Sequence, residues 1–112
     1  MWTRRPPGIR STAPITLTDN GTVENNNITS AGVGILVVDS QDVVARFNLL
    51  TPNNWPQEML VGIWLESSER VDASSNNMWY YRIGVLAIDC EECMWLDNDC
   101  FDAETNELVI KT

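Results

Sequence analysis

The 112-residue chain contains no histidine, which removes the commonest general base and the commonest metal ligand together. Hydrolytic triads built on an imidazole are excluded. The chain has one lysine, and its seven basic groups face sixteen acidic ones, for a net charge of −9. Neutralising phosphates takes clustered Lys and Arg, so nucleic acid is not expected as a direct partner. No apolar run approaches the roughly 20 residues that span a bilayer. The longest, residues 33–38, has the length of a strand, and no membrane partner is expected. The first ten residues carry arginines but no apolar stretch behind them, so they match neither a secretory nor a twin-arginine signal.

Motifs for common chemistries are also missing. There is no Gly-x-Ser-x-Gly elbow and no phosphate loop, and Gly32 and Gly34 make only a fragment of a dinucleotide fingerprint. Those glycines are read as strand geometry or close backbone packing. The three cysteines, Cys90, Cys93 and Cys100, lie close together in the sequence. An odd, local set is not a disulfide framework, and a reducing compartment is the simpler inference. Cys90, Cys93 and Cys100 are candidates for a zinc site completed by a carboxylate, or for a redox pair. Glu91 and Glu92 between the first two thiols would raise their pKa, so buried or incidental thiols are preferred and no metal or cofactor is expected. Asp97, Asp99, Asp102 and Glu104 have the carboxylate density of a calcium loop but lack its glycine and its closing glutamate. A solvated acidic face is the plainer reading. No catalytic residue is assigned, and the chain is not expected to be an enzyme.

Apolar residues make up 44% of the chain and charged ones 21%, close to ordinary globular usage, which at this length implies one domain with one core. Charge is unevenly placed. Residues 1–10 hold Arg4, Arg5 and Arg10 and no acid, whereas residues 89–107 hold eight acids and no base. Pro6 and Pro7 disfavour helix, so residues 1–13 are expected to form an extended arm, followed by a single β domain over residues 14–112 with its acidic segment at 89–107.

From Pro14 onward the pattern has period two. Residues 15–18 form a short strand that ends at Asn20-Gly21. Residues 31–38 suit a strand buried on both faces, with residues 39–42 turning into a hairpin. Val43, Ala45, Phe47 and Leu49 alternate on one face, as do Met59, Val61, Ile63 and Leu65. Residues 66–77 are expected to be a solvated connection. Trp79, Tyr81, Ile83, Val85 and Ala87 mark the longest strand, placed centrally. Without a visible repeat or helical period, the expected class is all-β: a small β-sandwich or partly open β-barrel with an extended N-terminal arm.

The five tryptophans include Trp2 in the arm and Trp55 in an Asn-Asn-Trp-Pro loop, where a core residue is least expected. Loop tryptophans stack on sugars or anchor protein interfaces. The sequons at Asn20 and Asn27 are ordinary products of asparagine-rich turns. In the arm, the guanidinium forks of Arg4, Arg5 and Arg10 suit carboxylates, and Pro6 and Pro7 lower the entropy lost on docking. Trp2, Arg4, Arg5, Pro6, Pro7, Arg10 and Trp55 are therefore the candidate partner-binding residues.

The size, the Pro-containing arm, the β body and the run Ala31-Gly32-Val33-Gly34-Ile35-Leu36-Val37-Val38 together resemble the small capsid decoration proteins of tailed phages, of the lambda head-stabilising type. The resemblance covers the arm and the first third of the body; the cysteine-bearing acidic tail has no counterpart in it. It implies a cement protein on the outer capsid surface of a virion, assembled in the host cytoplasm. Its partners would be the major capsid protein or neighbouring copies in a trimer or dimer, and no catalytic residues transfer. The alternative expectation is a non-catalytic carbohydrate- or protein-binding β-sandwich module that uses Trp55.

Overall fold

The computed structural model describes residues 8–11, 15–30, 32–52, 61–101 and 103–111. Thirteen strands lie among them: β1 (Gly8–Ser11), β2 (Ile15–Leu17), β3 (Thr22–Glu24), β4 (Asn27–Ser30), β5 (Val33–Val38), β6 (Gln41–Arg46), β7 (Leu49–Pro52), β8 (Val61–Glu66), β9 (Glu69–Asp72), β10 (Asn77–Trp79), β11 (Ile83–Ile88), β12 (Asp99–Phe101) and β13 (Thr105–Ile110). They form three sheets. Sheet A is ordered β1-β4-β7-β10-β12, sheet B β13-β11-β8-β5-β2, and sheet C β3-β6-β9. Every described pairing is parallel. Each strand thus stacks on the strand one coil earlier in the same sheet, which is the architecture of a parallel β-solenoid.

The all-β expectation holds, but the pairing within it is different. A sandwich or partly open barrel made of hairpins needs antiparallel neighbours, and the proposed hairpin at residues 39–42 instead joins β5 in sheet B to β6 in sheet C. Left-handed backbone at Asp39 (φ 51°) and Asp42 (φ 58°) turns the chain there. The strand expected through Leu49 breaks at Phe47 (φ 58°), and the long central strand breaks at Tyr80 (φ 66°). Trp79 and Val85 therefore belong to different sheets. The expected solvated connection contains β9, with Ser68, Val71, Ala73 and Asn76 all buried.

A repeat is present as well. Pairs in sheet A between β4 and β7 are 22 residues apart, as with Asn27 and Leu49. Those in sheet B between β5 and β8 are 28 apart, as with Val33 and Val61. The extra residues enter between β7 and β8, where residues 53–60 and Trp55 fall outside the described structure.

Stacking places like residues in columns. Ile15, Ile35, Ile63, Val85 and Glu107 share one interior column of sheet B, and Leu17, Val37, Leu65, Ala87 and Val109 share the next. Ile35, Val37, Ile63, Leu65, Val85 and Ala87 are essentially inaccessible, the five larger ones each contributing about 1.5–3 kcal/mol relative to an exposed side chain. Sheet A adds Ile28, Leu50 and Met78, sheet C adds Val43, Ala45 and Val71, and Ala73 adds to the core just beyond β9. The corners are columns too. Asn25, Phe47, Ser75 and Asp97 all have φ near 58°, and each precedes an asparagine: Asn26, Asn48, Asn76 and Asn98. Asn76 is fully buried and Asn48 nearly so.

Of the proposed arm, residues 1–7, 12 and 13 lie outside the described structure. Gly8–Ser11 pairs in parallel with β4 of the same chain.

Candidate interaction surfaces

The three sheets turn chemically different outer faces to solvent. Sheet C is charged: Arg46 bridges to Glu24 at 2.6 Å and Arg70 to Asp42 at 2.7 Å, each pair linking neighbouring coils. The Arg70 guanidinium holds the Asp42 carboxyl below its usual range, first by hydrogen bonding. Both residues are exposed, so the pair contributes little to stability.

The outer face of sheet A carries uncharged side chains from β4 through β10, with the exposed Asp99 added at β12. Thr29 and Thr51 are joined through their hydroxyls at 3.2 Å, and Trp79 stacks on Phe101 with ring centroids 4.1 Å apart. At the corner between sheets C and A, a groove of about 340 Å³ is lined by Asn25, Asn27, Phe47, Leu49, Ser75 and Asn77. The Phe47 ring is 56% exposed, with the Arg46 guanidinium 5.9 Å from its centroid.

Sheet B is apolar on its outer face. Leu36, Trp64, Leu86 and Leu108 stack in register; Leu86 is buried between its neighbours, Leu36 and Trp64 are half-buried, and Leu108 is exposed. Val38, Glu66, Ile88 and Ile110 form the adjacent column. Val38, Leu108 and Ile110 are exposed. Trp64 Nε1 donates to Glu66 Oε1 at 3.1 Å, which holds the indole along the face. This surface continues to the end of the solenoid, where every residue of β13 is exposed and Leu96, Phe101 and Val109 are exposed too. Contiguous apolar surface of this kind marks interaction sites more than isolated exposed hydrophobes do.

The candidates from sequence fall as follows. Trp2, Arg4, Arg5, Pro6, Pro7 and Trp55 lie outside the described residues. Arg10 lies in β1, the edge strand of sheet A. Cys90, Cys93 and Cys100 are free thiols, half-buried and packed against the core. Cys100 continues the Ile28–Leu50–Met78 column, and Cys90 follows Ser40 and Ser68 at the corner between sheets B and C. Burial, reinforced by Cys93, pushes the Cys90 thiol up to about 12. Burial first, then Glu107 and Asp99, raises Cys100. Thiols held protonated are poor nucleophiles. Among the described residues no group of three or more His, Cys, Asp or Glu is placed to hold a metal. Of the acids likened to a calcium loop, Glu104 pairs with Arg82 at 3.2 Å, while Asp97 occupies a corner and Asp99 opens β12.

Sequence reasoning missed the outer column of sheet B and the placement of Glu107 in an interior column. The available signal was the recurrence of Val33-Gly34-Ile35, Val61-Gly62-Ile63 and Ile83-Gly84-Val85. Its register carries Leu36 to Trp64, Leu86 and Leu108. Among the described residues no helix is long and apolar enough to cross a membrane. No family model, curated protein or solved structure matches the chain.

Proposed function

We propose that this chain is a structural assembly protein that works by docking rather than by catalysis. The observation that carries this reading is the apolar outer face of sheet B, with the column Leu36, Trp64, Leu86 and Leu108. Leu108, Val38 and Ile110 leave part of this face exposed, and a regular apolar column suits another protein surface.

The narrower form is a capsid decoration protein, seated on the outer lattice of a virion through the major capsid protein or neighbouring copies of itself. The charge distribution supports it: Arg4, Arg5 and Arg10 precede or lie in the first strand, and the acids crowd toward the other end. The run at residues 31–38 supports it less, because Gly34 stacks with Gly62 and Gly84 within this chain's own coils. Its glycines serve local packing.

The test is sedimentation velocity of the chain alone and co-sedimentation with undecorated capsid shells. The wild type is expected to associate in at least one of the two, and Leu36→Glu to lose that association with its fold intact. A wild type that stays monomeric and leaves the shells bare overturns the reading.

The groove beside Phe47 favours a second reading, a carbohydrate-binding module. An exposed ring flanked by neutral amides offers stacking and hydrogen bonding. Here Phe47 takes the role first expected of Trp55. Glycan binding that Phe47→Ala abolishes would support this reading; a glycan screen without binding would end it.

A further inference from the structure

We propose that Cys90 and Cys93 are a redox-sensitive staple: a disulfide between them, made by exchange with a low-molecular-weight disulfide such as oxidised glutathione, locks the corner between sheets B and C. This goes beyond the assembly reading above and does not rest on it.

The corner is built of columns, and two of them change chemistry at the same step. Its left-handed residues are Asp42, Arg70 and Glu92, with φ of 58°, 52° and 54°. Two residues before these stand Ser40, Ser68 and Cys90, and one residue after them Val43, Val71 and Cys93. Val43 pairs with Val71 in register, and the bridges Glu69–Glu91 and Asp72–Met94 carry that register on to Cys93. A hydroxyl and a valine side chain cannot be joined in the earlier coils. At the third step both positions are thiols.

The fold gathers the two sulfurs on the backbone of one residue. Ser40 N–H donates to Ser68 Oγ at 3.2 Å, and one coil on the Ser68 backbone bonds the Cys90 sulfur. Cys93 Sγ donates to the Ser68 carbonyl at 3.7 Å and to the Glu91 carbonyl at 3.5 Å. The two thiols also hydrogen-bond to each other. Sulfurs in such contact can bond without a new course of the main chain.

The staple falls where the sheet pairing thins. Sheet C is ordered β3-β6-β9, and beyond β9 it continues through the isolated bridges Glu69–Glu91 and Asp72–Met94. A ring closed through residues 90–93 contains the first bridge and the left-handed Glu92, and it ends beside the second. Such a ring removes freedom from the unfolded chain and so favours the corner as folded.

Cys93 is half-buried beside the exposed Glu91, Glu92 and Met94, so it is the thiol that meets the oxidant. Having lost its proton to solvent, it attacks one sulfur of oxidised glutathione and a glutathione thiolate leaves. Cys90, losing its own proton, then attacks Cys93 Sγ and expels the second glutathione thiolate. Each leaving thiolate takes up a proton. Two protein thiols give up two electrons, and the oxidant gains them as it becomes two thiols. Burial disfavours the Cys90 thiolate, which slows the second attack but favours the disulfide at equilibrium, because the reduced form gains nothing by ionising.

The experiment equilibrates the intact chain with mixtures of reduced and oxidised glutathione, quenches it in acid, alkylates it with iodoacetamide and reads the mass and the labelled positions. With three cysteines in the chain, the reduced form takes three labels and the stapled form one, on Cys100. The ratio of squared reduced to oxidised glutathione at half-closure is expected to be roughly tenfold or more higher for the folded chain than in concentrated urea. The stapled chain should accordingly unfold at a higher urea midpoint than the reduced one. Cys93→Val, which restores the valine of the column, should not close, and Cys100→Ala should close as the wild type does. A ratio no higher folded than in urea, a reaction that stops at glutathione on Cys93, or a disulfide that includes Cys100 overturns the proposal.

Discussion

The side chain of Asn76 closes the backbone of the coil before it: Asn76 Oδ1 accepts both the backbone N–H and the Nδ2 of Asn48, each at 3.0 Å. Asn76 Nδ2 in turn donates to the Ala45 carbonyl at 3.0 Å and to Asn98 Oδ1 at 3.1 Å. The same pattern runs from Asn26 to Asn48 and from Asn76 to Asn98. A corner residue in left-handed backbone cannot pair its neighbours within a sheet, so the next asparagine supplies the missing partners.

Asn76→Ala is therefore expected to strand the Asn48 N–H and the Ala45 carbonyl in a dry interior. Orphaned buried groups cost about 1–3 kcal/mol each, so a loss of about 2–4 kcal/mol should appear in urea unfolding. Asn26→Ala, at the half-buried start of the ladder, removes one bond to the Glu24 carbonyl and should cost under about 1 kcal/mol. Equal losses at the two positions would refute the ladder as a stabilising element.

Gly62→Ala tests the stacking of coils at the corner between sheets A and B. A Cβ there would sit 2.8 Å from the Gly84 carbonyl oxygen and collide with Met78 Sδ. The thioether can move; the backbone oxygen cannot without opening the coil. About 1–3 kcal/mol of destabilisation is expected, read as a lower urea midpoint, and an unchanged midpoint would show the coils to be more loosely stacked.

Alternation made the strands and much of the core legible. Val43, Ala45, Val61, Ile63, Leu65, Val85 and Ala87 are interior, as their spacing implied. The partner of each strand was not legible, because a half-buried strand alternates in the same way whether its neighbour runs parallel or antiparallel. Asp39 and Asp42 misled for a related reason: residues that tolerate left-handed backbone serve tight hairpins and solenoid corners alike. The repeat was hidden because Asn26, Asn48, Asn76 and Asn98 recur at intervals of 22, 28 and 22. The outer column of sheet B went unseen with it, since Leu36, Trp64 and Leu86 become neighbours only once the coils are in register.

Tyr81 is 1% exposed, and its hydroxyl has no hydrogen-bond partner among the described residues. Burial raises its pKa well above the ordinary phenol value. Tyr81→Phe removes a desolvated hydroxyl without changing the shape of the ring. It is expected to be neutral or to stabilise by up to about 1 kcal/mol in thermal or urea unfolding; a loss above that would mean the hydroxyl is bonded in solution.

Cys90 should tolerate serine, because its column already holds it: Ser40 Oγ donates to the Val38 carbonyl and Ser68 Oγ to the Glu66 carbonyl, both at 2.9 Å. A serine at 90 can make the equivalent bond to Ile88. At pH 7 the variant should lie within about 0.5 kcal/mol of wild type. The difference should emerge in alkali. The thiol ionises near 9 when unfolded and near 12 in place, so above pH 9 the unfolded chain holds fewer protons than the folded one and stability falls as pH rises. Its contribution is complete below pH 9 and is lost toward 12. Urea midpoints at pH 7 and 10.5 should therefore drop less in Cys90→Ser than in wild type, with Cys100 and Tyr81, also raised by burial, maintaining part of the slope. An identical drop in both proteins would place the Cys90 thiol in contact with water.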